Sequence, residues 1–527
     1  MHTAARSSPF RLLRGAGALV VAAALLGAAG PAAADSLKTL KGVPVPLPSN
    51  LGTFVKDRAA AIKLGKALFW DVQTGGDGGQ ACATCHFQAG ADVRTRNTVN
   101  PGANGVFNSV AGADAFLSPG HLPMLTGDVV GSQGLIKMSF NALTGGAADN
   151  CSVLADPIFN VNGNNVRQVT GRNTPTNVNA IFNFRNFWDG RANNIFNGVN
   201  PAGPNDPTAT VLQVGPSGPV AVTVSIPNAS LASQAVGPPN NGVEMSCAGR
   251  NFPQLARKLL NLRPLGRQRV AADDSVLGPL STGGQGLATT YPALIQAAFQ
   301  PAWWNSNAVV NGFSVMENNF SLYWGLSILL YESTLVPDDT PVDRFLAGVG
   351  SLGATEQLGM NVFTGKGRCT QCHNGPELTS ATVRNNDPLK GFFNTGVRPV
   401  AEDQGDVIQH NGMFKTPGIR NTELNGPYFH NGSMATLRQV VDFYDRGGDF
   451  PSQFTDGQIR PLGLTETEKS ALVAFIMALT DDRVRFEKAP FDHPELVVPN
   501  GPTLAAVGKL GRNPGGAPFL NMSPFQP

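Results

Sequence analysis

The sequence lacks any long hydrophobic run beyond its first 34 residues, and no later stretch approaches the ~20 apolar residues that a membrane-spanning helix requires. Charged residues are also scarce, at 14% of the chain, and they form no basic cluster. The low charge argues against an unfolded chain, and the missing basic patch excludes the electrostatic footprint of a nucleic-acid-binding protein. Glycine and proline are abundant, at 61 and 40 residues, but stay below the level typical of disorder. The composition therefore predicts a packed, loop-rich protein.

The first 34 residues carry the pattern of an export signal: three arginines, the apolar run GALVVAAALLGAAG, and small residues before Asp35. We expect cleavage there, a periplasmic location and no membrane span in the mature form. Cleavage removes those arginines and no acidic residue, so the remaining chain is near neutral and long enough for two or three domains. An uncleaved N-terminal anchor is the alternative.

Cysteines are few, at six, but four of them lie in two C-x-x-C-H motifs, CATCH and CTQCH. The motif residues are Cys82, Cys85, His86, Cys369, Cys372 and His373. Two thiols one helical turn apart can add to both vinyl groups of a haem, and the adjacent imidazole then reaches the iron. A zinc or redox C-x-x-C followed by a histidine is the alternative, and two copies in an exported chain argue against it. The sequence predicts two covalently bound c-type haems, with His86 and His373 as iron ligands.

The residues around the two motifs also repeat, as KLGKALFWDVQTGGDGGQACATCHFQAG and EQLGMNVFTGKGRCTQCHNGPEL. Both contain a Leu-Gly pair, an apolar stretch and a Gly-rich turn, which indicates a helix running into the loop that presents the cysteines. The predicted fold is mainly α, with two cytochrome-c-like haem domains and long irregular insertions. The predicted boundaries are 1–34 for the signal, 35–345 and 346–495 for the two haem domains, and 496–527 for a C-terminal tail.

The two remaining cysteines, Cys151 and Cys247, lie between the haem motifs. In an oxidising compartment, two spare cysteines are expected to pair. Such a disulfide would stiffen the long stretch between the motifs. Two free thiols are the alternative.

Two further segments, together with the haem motifs, resemble the bacterial dihaem cytochrome c peroxidases and their relative MauG, which oxidises tryptophan residues of a partner protein. They are GRNTPTNVNAIFNFRNFWDGRANNIF (171–196) and FKTPGIRNTELNGPYFHNGSMATLRQVVDFYDRGG (414–448). The resemblance is specific over 55–100, 165–200, 231–260 and 350–495. It is weak over 100–160, 197–230 and 265–340. These weak stretches have the character of insertions, because the two motifs lie further apart than in the smaller family members.

The resemblance implies a periplasmic enzyme that reduces hydrogen peroxide, with a peroxidatic haem in the N-terminal domain and an electron-transfer haem in the C-terminal domain. Electrons would come from a small redox protein, a cytochrome c or a cupredoxin, or from residues of a protein substrate as in MauG. The family's inter-haem tryptophan matches Trp188 of the segment FWDGR, which implies an electron relay there. From the residues alone, Trp188 could equally be a packing anchor.

Typical members of the family close the first haem with a distal histidine, but this sequence has NGNNVRQVTG in that region, with Asn165 near the expected place. The resemblance therefore implies an open, five-coordinate iron at the His86 haem, with His121 as an alternative sixth ligand. Cleaving the O–O bond of peroxide needs a group that moves a proton between the two oxygens. The segment LASQAVGPPNNGVEM supplies Gln234 and Glu244, which match the family's distal pair. A solvated loop glutamate is the alternative.

The family also holds a calcium ion between its two domains. The matching ligands are the side-chain oxygen of Asn173 and the backbone carbonyls of Asn425 and Pro427, which are hard oxygen donors of the kind that calcium prefers. Without the resemblance, RNTPT and NGPYF are simply turns.

The segment VVDFYDRGG lies in a short helix predicted by a Thr-Gln capping box and a closing Gly-Gly pair. The apolar stripe of this helix includes Tyr444. At this position the peroxidases hold a methionine ligand and MauG a tyrosine ligand, so the resemblance implies that Tyr444 binds the His373 haem iron. The alternative is a core tyrosine, with Met434 or Met413 as the ligand.

Two other classes of protein stay open. A pure electron carrier would have both irons six-coordinate and no reactivity toward peroxide, and the missing distal histidine argues against it. A dihaem oxygenase would use dioxygen at the open haem to attack an organic polymer, with the insertions shaping its substrate channel.

Overall fold

Helices are the main regular elements of the computed structural model, which describes residues 37–385 and 391–499. The predicted signal segment and most of the predicted tail lie outside the described residues. About 29% of the described residues are helical when short 3-10 turns are counted. The helices are α1 (Arg58–Trp70), α2 (Ser230–Ala235), α3 (Phe252–Leu260), α4 (Tyr291–Ala298), α5 (Val315–Asn318), α6 (Phe320–Glu332), α7 (Pro341–Leu346), α8 (Ala354–Thr364), α9 (Leu437–Arg446), α10 (Glu466–Met477) and α11 (Asp482–Arg485). No helix within the described ranges has the length and apolar character needed to cross a lipid bilayer.

The strands form short antiparallel pairs, each made of two strands that are neighbours in the chain. They are β1 (Val99–Asn100), β2 (Val129–Val130), β3 (Met138–Ala142), β4 (Asn150–Val153), β5 (Asn160–Val161), β6 (Asn164–Asn165), β7 (Val211–Gly215), β8 (Gly218–Val222), β9 (Val309–Val310), β10 (Phe313–Ser314), β11 (Phe392–Phe393) and β12 (Phe414–Lys415). Several strands lie in the predicted insertions. We expected these insertions to be irregular, but the structure shows that they contain hairpins. Hairpin β7–β8 shows why, since its strands are rich in valine and a tight turn between Gly215 and Gly218 joins them.

Two helix pairs organise the core, and each pair contains the helix that precedes one C-x-x-C-H motif. Helix α1 packs on α6, and α8 packs on α10. A Cβ added to Gly65 of α1 would lie 1.9 Å from the carbonyl oxygen of Ser327. A Cβ added to Gly359 of α8 would lie 1.9 Å from the carbonyl oxygen of Ala471. Only glycine permits such close backbone approach. The repeated Leu-Gly pair therefore encodes a similar close helix crossing twice.

The hydrophobic core divides between these two helix pairs. One cluster of buried residues comes mainly from 40–335 and surrounds α1 and α6. A second cluster comes mainly from 342–479 and surrounds α8 and α10. The division falls close to the predicted domain boundary at residue 345, which itself stays a prediction. The segment 484–498 returns to the first cluster. Its contributing residues are Val484, Phe491, Leu496 and Val498.

Candidate active site

Both C-x-x-C-H motifs lie in a tight turn that follows a core helix. The turns span Cys82–Thr84 and Cys369–Gln371. His86 donates its Nδ1–H to the Gly90 carbonyl at 2.7 Å, and His373 donates its Nδ1–H to the Leu378 carbonyl at 3.2 Å. Burial lowers the pKa of both imidazoles, that of His373 to about 4, so both rings are neutral at pH 7. Each Nε2 is therefore the nitrogen whose lone pair is available to a metal.

The first motif opens onto a cavity of about 510 Å³, here called the first cavity. Its lining includes the residues predicted for the peroxide site and for the first haem. They are Cys82, Cys85, His86, Trp188, Gln234 and Glu244. Gln234 belongs to α2, and Glu244 belongs to the loop between α2 and α3. The fold thus brings together side chains that are far apart in the sequence.

The loop that carries Glu244 is held on both sides. The backbone N–H groups of Leu135 and Gly76 donate to the carbonyls that flank Glu244, at 2.9 and 2.8 Å. Three residues further on, Cys247 forms a disulfide with Cys151. This bond confirms the predicted pairing and ties the Glu244 loop to hairpin β3–β4.

The environment of Glu244 shifts the pKa of its carboxyl group upward. Burial raises the pKa of Glu244, and the positive charge of Arg191 partly opposes that rise. Arg191 lines the same cavity and pairs with Asp189 at 2.7 Å. No separate sequence signal singled out Arg191, although it ends the FWDGR segment. A raised pKa moves the carboxyl toward the neutral range, in which proton-transfer groups are most effective.

His86 is the single histidine among the described residues that line the first cavity. His121, the alternative ligand considered from the sequence, is exposed, and its Nδ1 accepts the backbone N–H of Ser118 at 3.0 Å. Asn165 lies in β6 and does not line the cavity. Among the described residues, this cavity therefore combines Gln234 and Glu244 with one imidazole, that of His86.

The second motif opens onto a cavity of about 200 Å³, here called the second cavity. Its lining includes Cys369, Cys372, His373 and Tyr444. Tyr444 lies on α9, which begins with the predicted capping box and ends at Gly447, with φ 85°. Neither Met434 nor Met413 lines this cavity, and no other described methionine does. Met434 is instead buried in a neighbouring hydrophobic cluster. The fold thus presents a phenol, and not a thioether, to the second motif.

The hydroxyl of Tyr444 lies in a poorly solvated environment. Burial raises the pKa of Tyr444 above that of an ordinary phenol. Without a nearby cation, the side chain therefore stays protonated at neutral pH. A ferric ion in the second cavity would supply the positive charge that a phenolate needs.

Trp188 lies between the two cavities and lines both of them. Its indole N–H donates to the Asn173 carbonyl at 2.8 Å, and its own carbonyl accepts the backbone N–H of Lys415 at 2.8 Å. The His430 ring meets it edge-on, with centroids 6.4 Å apart. Both the ring and the backbone of Trp188 are thus fixed at the junction of the two sites.

A third cavity of about 100 Å³ is lined by the predicted calcium ligands Asn173, Asn425 and Pro427. The Asn173 amide donates to the carbonyls of Pro427 and Phe429, at 2.7 and 3.2 Å. The Asn425 side-chain oxygen is buried without a hydrogen-bond partner among the described residues. The described chain contains no cluster of three or more His, Cys, Asp or Glu that could hold a metal ion. A cation here would therefore rest on neutral oxygens, which suit calcium once the Asn173 amide turns its oxygen inward.

Two buried basic groups line the second cavity, and neither was predicted as a site residue. Lys415 and His430 are only 5% and 3% exposed. Burial lowers the pKa of Lys415 to about 8, with no charged partner contributing, and lowers that of His430 to about 3. The His430 Nε2 has no hydrogen-bond partner among the described residues. A buried polar atom without a partner is costly, so the His430 Nε2, with the buried Lys415 amine in the same cavity, suits an acidic ligand such as the propionate groups of a haem.

Glu332 and Met245 line the first cavity as well, and sequence reasoning missed both. Burial raises the pKa of Glu332 to about 8, although the Asn177 amide donates to it at 2.9 Å. Glu332 ends α6, in a stretch where the family resemblance is weak, so no motif marks it. The packing of α6 against α1, the helix before the first motif, brings Glu332 to this cavity.

The geometry defines a class of protein: a c-type cytochrome with two haem cavities, each beside a C-x-x-C-H turn, and a tryptophan between them. A family model described as di-haem cytochrome c peroxidase matches residues 59–351. These residues include the first motif, Trp188, Gln234 and Glu244, and the second motif follows them. This match covers more than half of the chain. The chain therefore belongs to the di-haem cytochrome c peroxidase family.

Individual relatives agree with this assignment. The chain is 36% identical over 181 residues to the cytochrome-c peroxidase IdrP2 of Denitromonas iodatirespirans, covering 29% of this chain and 47% of that protein. It is 30% identical over 170 residues to the methylamine utilization protein MauG of Methylorubrum extorquens, covering 32% and 47% of the two chains. The chain spans about half the length of these curated relatives.

A solved structure shares the fold. It is a MauG-like protein associated with microbial copper homeostasis, with a TM-score of 0.51 and 20% sequence identity. The similarity covers 86% of this chain and 96% of that protein. The predicted family is thus confirmed by the family model. The neighbour shows that the chain has the overall fold of a MauG-like protein, and the division into two cytochrome-c-like domains stays a prediction.

Proposed function

We propose that this chain is a dihaem oxidoreductase that reduces hydrogen peroxide in the first cavity and exchanges electrons with the second cavity through Trp188. The observation that supports this most is an asymmetry. Trp188 lines both cavities, whereas Gln234 and Glu244 line only the first. The two cavities therefore have different chemistry and a shared aromatic contact, as a peroxide site and an electron-transfer site require. A haem bound in each cavity would supply the redox-active iron.

The residues of the first cavity have separate tasks in this proposal. The Nε2 atom of His86 would hold the iron, and the thiols of Cys82 and Cys85 would anchor the haem. The Glu244 carboxylate would accept a proton from one oxygen of the peroxide and return it to the other oxygen, which leaves. The Gln234 amide orients the peroxide by hydrogen bonding.

The second cavity is proposed to deliver electrons. His373 and Tyr444 would hold the iron, and Lys415 and His430 would offer polar contacts to the acidic groups of the haem. A phenolate ligand favours the ferric state and higher oxidation levels, which a chain that oxidises residues of a protein substrate needs. Tyr444 in place of methionine therefore favours a protein substrate over a small redox protein as the source of electrons.

A periplasmic location is part of the proposal. The Cys151–Cys247 disulfide supports it, because such bonds persist in oxidising compartments. The predicted signal segment is consistent with the same location.

We expect two haems per chain when the protein is produced with c-type maturation machinery. The pyridine haemochrome assay on purified protein measures this ratio. Replacing Cys82 and Cys85 together by alanine, or Cys369 and Cys372 together, should each remove one haem, because each pair anchors one group. A double Cys151→Ala and Cys247→Ala variant is the control and should keep both haems. A ratio near zero for the wild-type protein would contradict the assignment of both cavities.

Replacing Trp188 with phenylalanine should leave haem content and peroxide binding intact but uncouple the two haems. Phenylalanine keeps the aromatic packing but has no accessible radical state. Stopped-flow spectroscopy should show oxidation confined to the first haem, whereas in the wild-type protein both haems change together. Trp303→Phe is the matched control, since Trp303 is also buried and donates its indole N–H to a carbonyl, that of Thr53, at 2.9 Å. Unimpaired oxidation of an external reductant by Trp188→Phe would remove the relay role.

Calcium in the third cavity is also a proposal, supported by the neutral oxygen donors of Asn173, Asn425 and Pro427. Chelation should lower the melting temperature, because an ion that binds only the folded state stabilises that state. Added calcium should restore the melting temperature, whereas magnesium should not, because magnesium demands a tighter octahedral site. Asn173→Ala should lose the bound calcium that elemental analysis detects in the wild-type protein. If the chelator leaves the melting temperature unchanged and elemental analysis detects no calcium, the cavity holds no ion.

A further inference from the structure

A small cavity of about 30 Å³ lies beside His86, here called the fourth cavity. The aromatic residues that line it include Phe69, Trp70, His86, Tyr331 and His493. Trp188 lines the first, second and third cavities but not this one. The fourth cavity is therefore a separate aromatic environment of His86, on a side that the relay tryptophan does not reach.

The aromatic rings around the fourth cavity form a chain of neighbours with short distances between their centroids. Phe69 lies 6.2 Å from His86 and 5.8 Å from Trp70, measured between ring centroids. Tyr331 lies 5.5 Å from Phe69. The ring of His493 stacks on Trp70, with centroids 4.0 Å apart and planes inclined by 3°. Because electron tunnelling weakens exponentially with distance, steps between neighbouring rings of this kind are fast.

Trp70 differs from the other tryptophans in its hydrogen bond. Its indole N–H donates to the Tyr331 hydroxyl at 2.9 Å. The other four tryptophans all donate to backbone carbonyls. They are Trp188, Trp303, Trp304 and Trp324. Indole and phenol are the most easily oxidised side chains of this region, and here they share one hydrogen bond beside His86.

The charges around this pair favour a positive centre. Asp274, Asp492 and Glu332 act electrostatically on the Tyr331 hydroxyl, Glu487 lies beside His493, and Lys66 is the amine that pairs with Asp274. The Glu487 Oε1 lies 3.6 Å from the His493 ring that stacks on Trp70. Lys66 pairs with Asp274 at 2.8 Å and lies 3.6 Å from Asp492, so this one amine faces two carboxyl groups. An indole that loses an electron becomes a cation, and nearby carboxylates stabilise it by Coulomb attraction.

We propose that Trp70, with Tyr331 as its hydrogen-bond partner, is a second oxidisable site. It donates an electron to the redox centre held by His86 when no external reductant is bound. The inference rests on the proposed function, which supplies the oxidant as hydrogen peroxide reacting in the first cavity. One electron leaves the Trp70 indole and reduces the oxidised centre at His86 by one equivalent. No bond forms or breaks, and the proton stays in the hydrogen bond between Trp70 and Tyr331. A one-electron reductant of the small-redox-protein class later returns the electron.

The first test is freeze-quench electron paramagnetic resonance of the full-length, haem-loaded protein after one equivalent of hydrogen peroxide. Tryptophan with a deuterated ring identifies the signal of an indole radical. We expect this signal to persist in Trp188→Phe and in the control Trp303→Phe, and to be lost in Trp70→Phe. Tyr331→Phe keeps the indole but removes its hydrogen bond, so it should change the hyperfine pattern. An indole signal that is the same in Trp70→Phe as in the wild-type protein would overturn the inference.

The second test needs no variant. Wild-type protein is treated repeatedly with peroxide in the absence of reductant, and oxygen adducts are mapped on its peptides by mass spectrometry. We expect adducts on Trp70 and Tyr331 and none on Trp303, and adducts on Trp188 alone would contradict the inference. The haem absorbance distinguishes a failure of the proposed peroxide reaction from a failure of the second oxidisable site. No spectral response to peroxide would refute the proposed function, whereas a full response without oxidation at Trp70 would refute only the second site.

Discussion

Replacing Glu244 with glutamine should slow the reaction of the ferric protein with hydrogen peroxide by about 10²–10⁴-fold, the usual loss when a general acid–base group is removed. The amide has nearly the same shape as the carboxylate but cannot accept the proton of peroxide. Peroxide therefore still enters the first cavity, and the cleavage of its O–O bond loses the proton carrier. Stopped-flow absorbance of the haem bands measures the rate, and haem content should be unchanged.

The pH dependence gives an independent check of the same role. Burial raises the pKa of Glu244, and only the ionised carboxylate can accept a proton. The wild-type rate should therefore fall as the pH drops through that raised pKa, and Glu244→Gln should lose this dependence. Glu332→Gln is the matched control, because Glu332 lines the same cavity and its pKa of about 8 leaves it mostly protonated at neutral pH. Equal losses of rate in both variants would indicate a general effect of altering polar side chains in the cavity, and not proton transfer by Glu244.

Replacing Tyr444 with methionine should raise the reduction potential of the second haem by something on the order of a few tenths of a volt, within the ~0.8 V range that axial ligands control. A phenolate is a hard anionic donor that stabilises ferric iron, whereas a thioether is neutral and stabilises ferrous iron. Spectroelectrochemical titration measures both potentials. The first haem should keep its potential, since Tyr444 lines the second cavity only. Oxidation levels of the second haem above the ferric state should become harder to reach.

Tyr444→Phe should leave the second iron open or bound to water, with a spin-state change confined to that haem. Electron paramagnetic resonance of the ferric protein detects this change. Tyr428→Phe is the matched control, because Tyr428 lines the same cavity but donates its hydroxyl to the Thr422 carbonyl at 3.0 Å. If both Tyr444 variants keep the wild-type spectrum and potential, Tyr444 is a core residue and the ligand must be sought elsewhere.

Features that depend on neighbouring residues could be predicted from the sequence. The spacing within each C-x-x-C-H motif is enough to predict two haem attachment turns, and the structure places each motif after the expected helix. The capping box of α9 also forms as predicted, because Thr436 accepts the N–H of Gln439 only three residues away. The repeated Leu-Gly pair marked an internal repeat, but its cause, a close helix crossing at Gly65 and at Gly359, required the partner helices.

The convergence of distant segments was decided by the tertiary structure. Glu244 reaches the first cavity because a hairpin from a poorly matching insertion is bonded to its loop through Cys151 and Cys247. His493 stacks on Trp70 because the segment 484–498 returns from the second helix pair to the first core cluster. Neither placement follows from local periodicity, since each depends on which loops pack together after long separations in the chain. The sequence by itself determined which chemical groups attach the haems. Packing and the hydrogen bonds between distant loops decided which side chains line the two cavities. The reason is that a side chain becomes buried, and its pKa shifts, only after these distant segments have packed around each cavity.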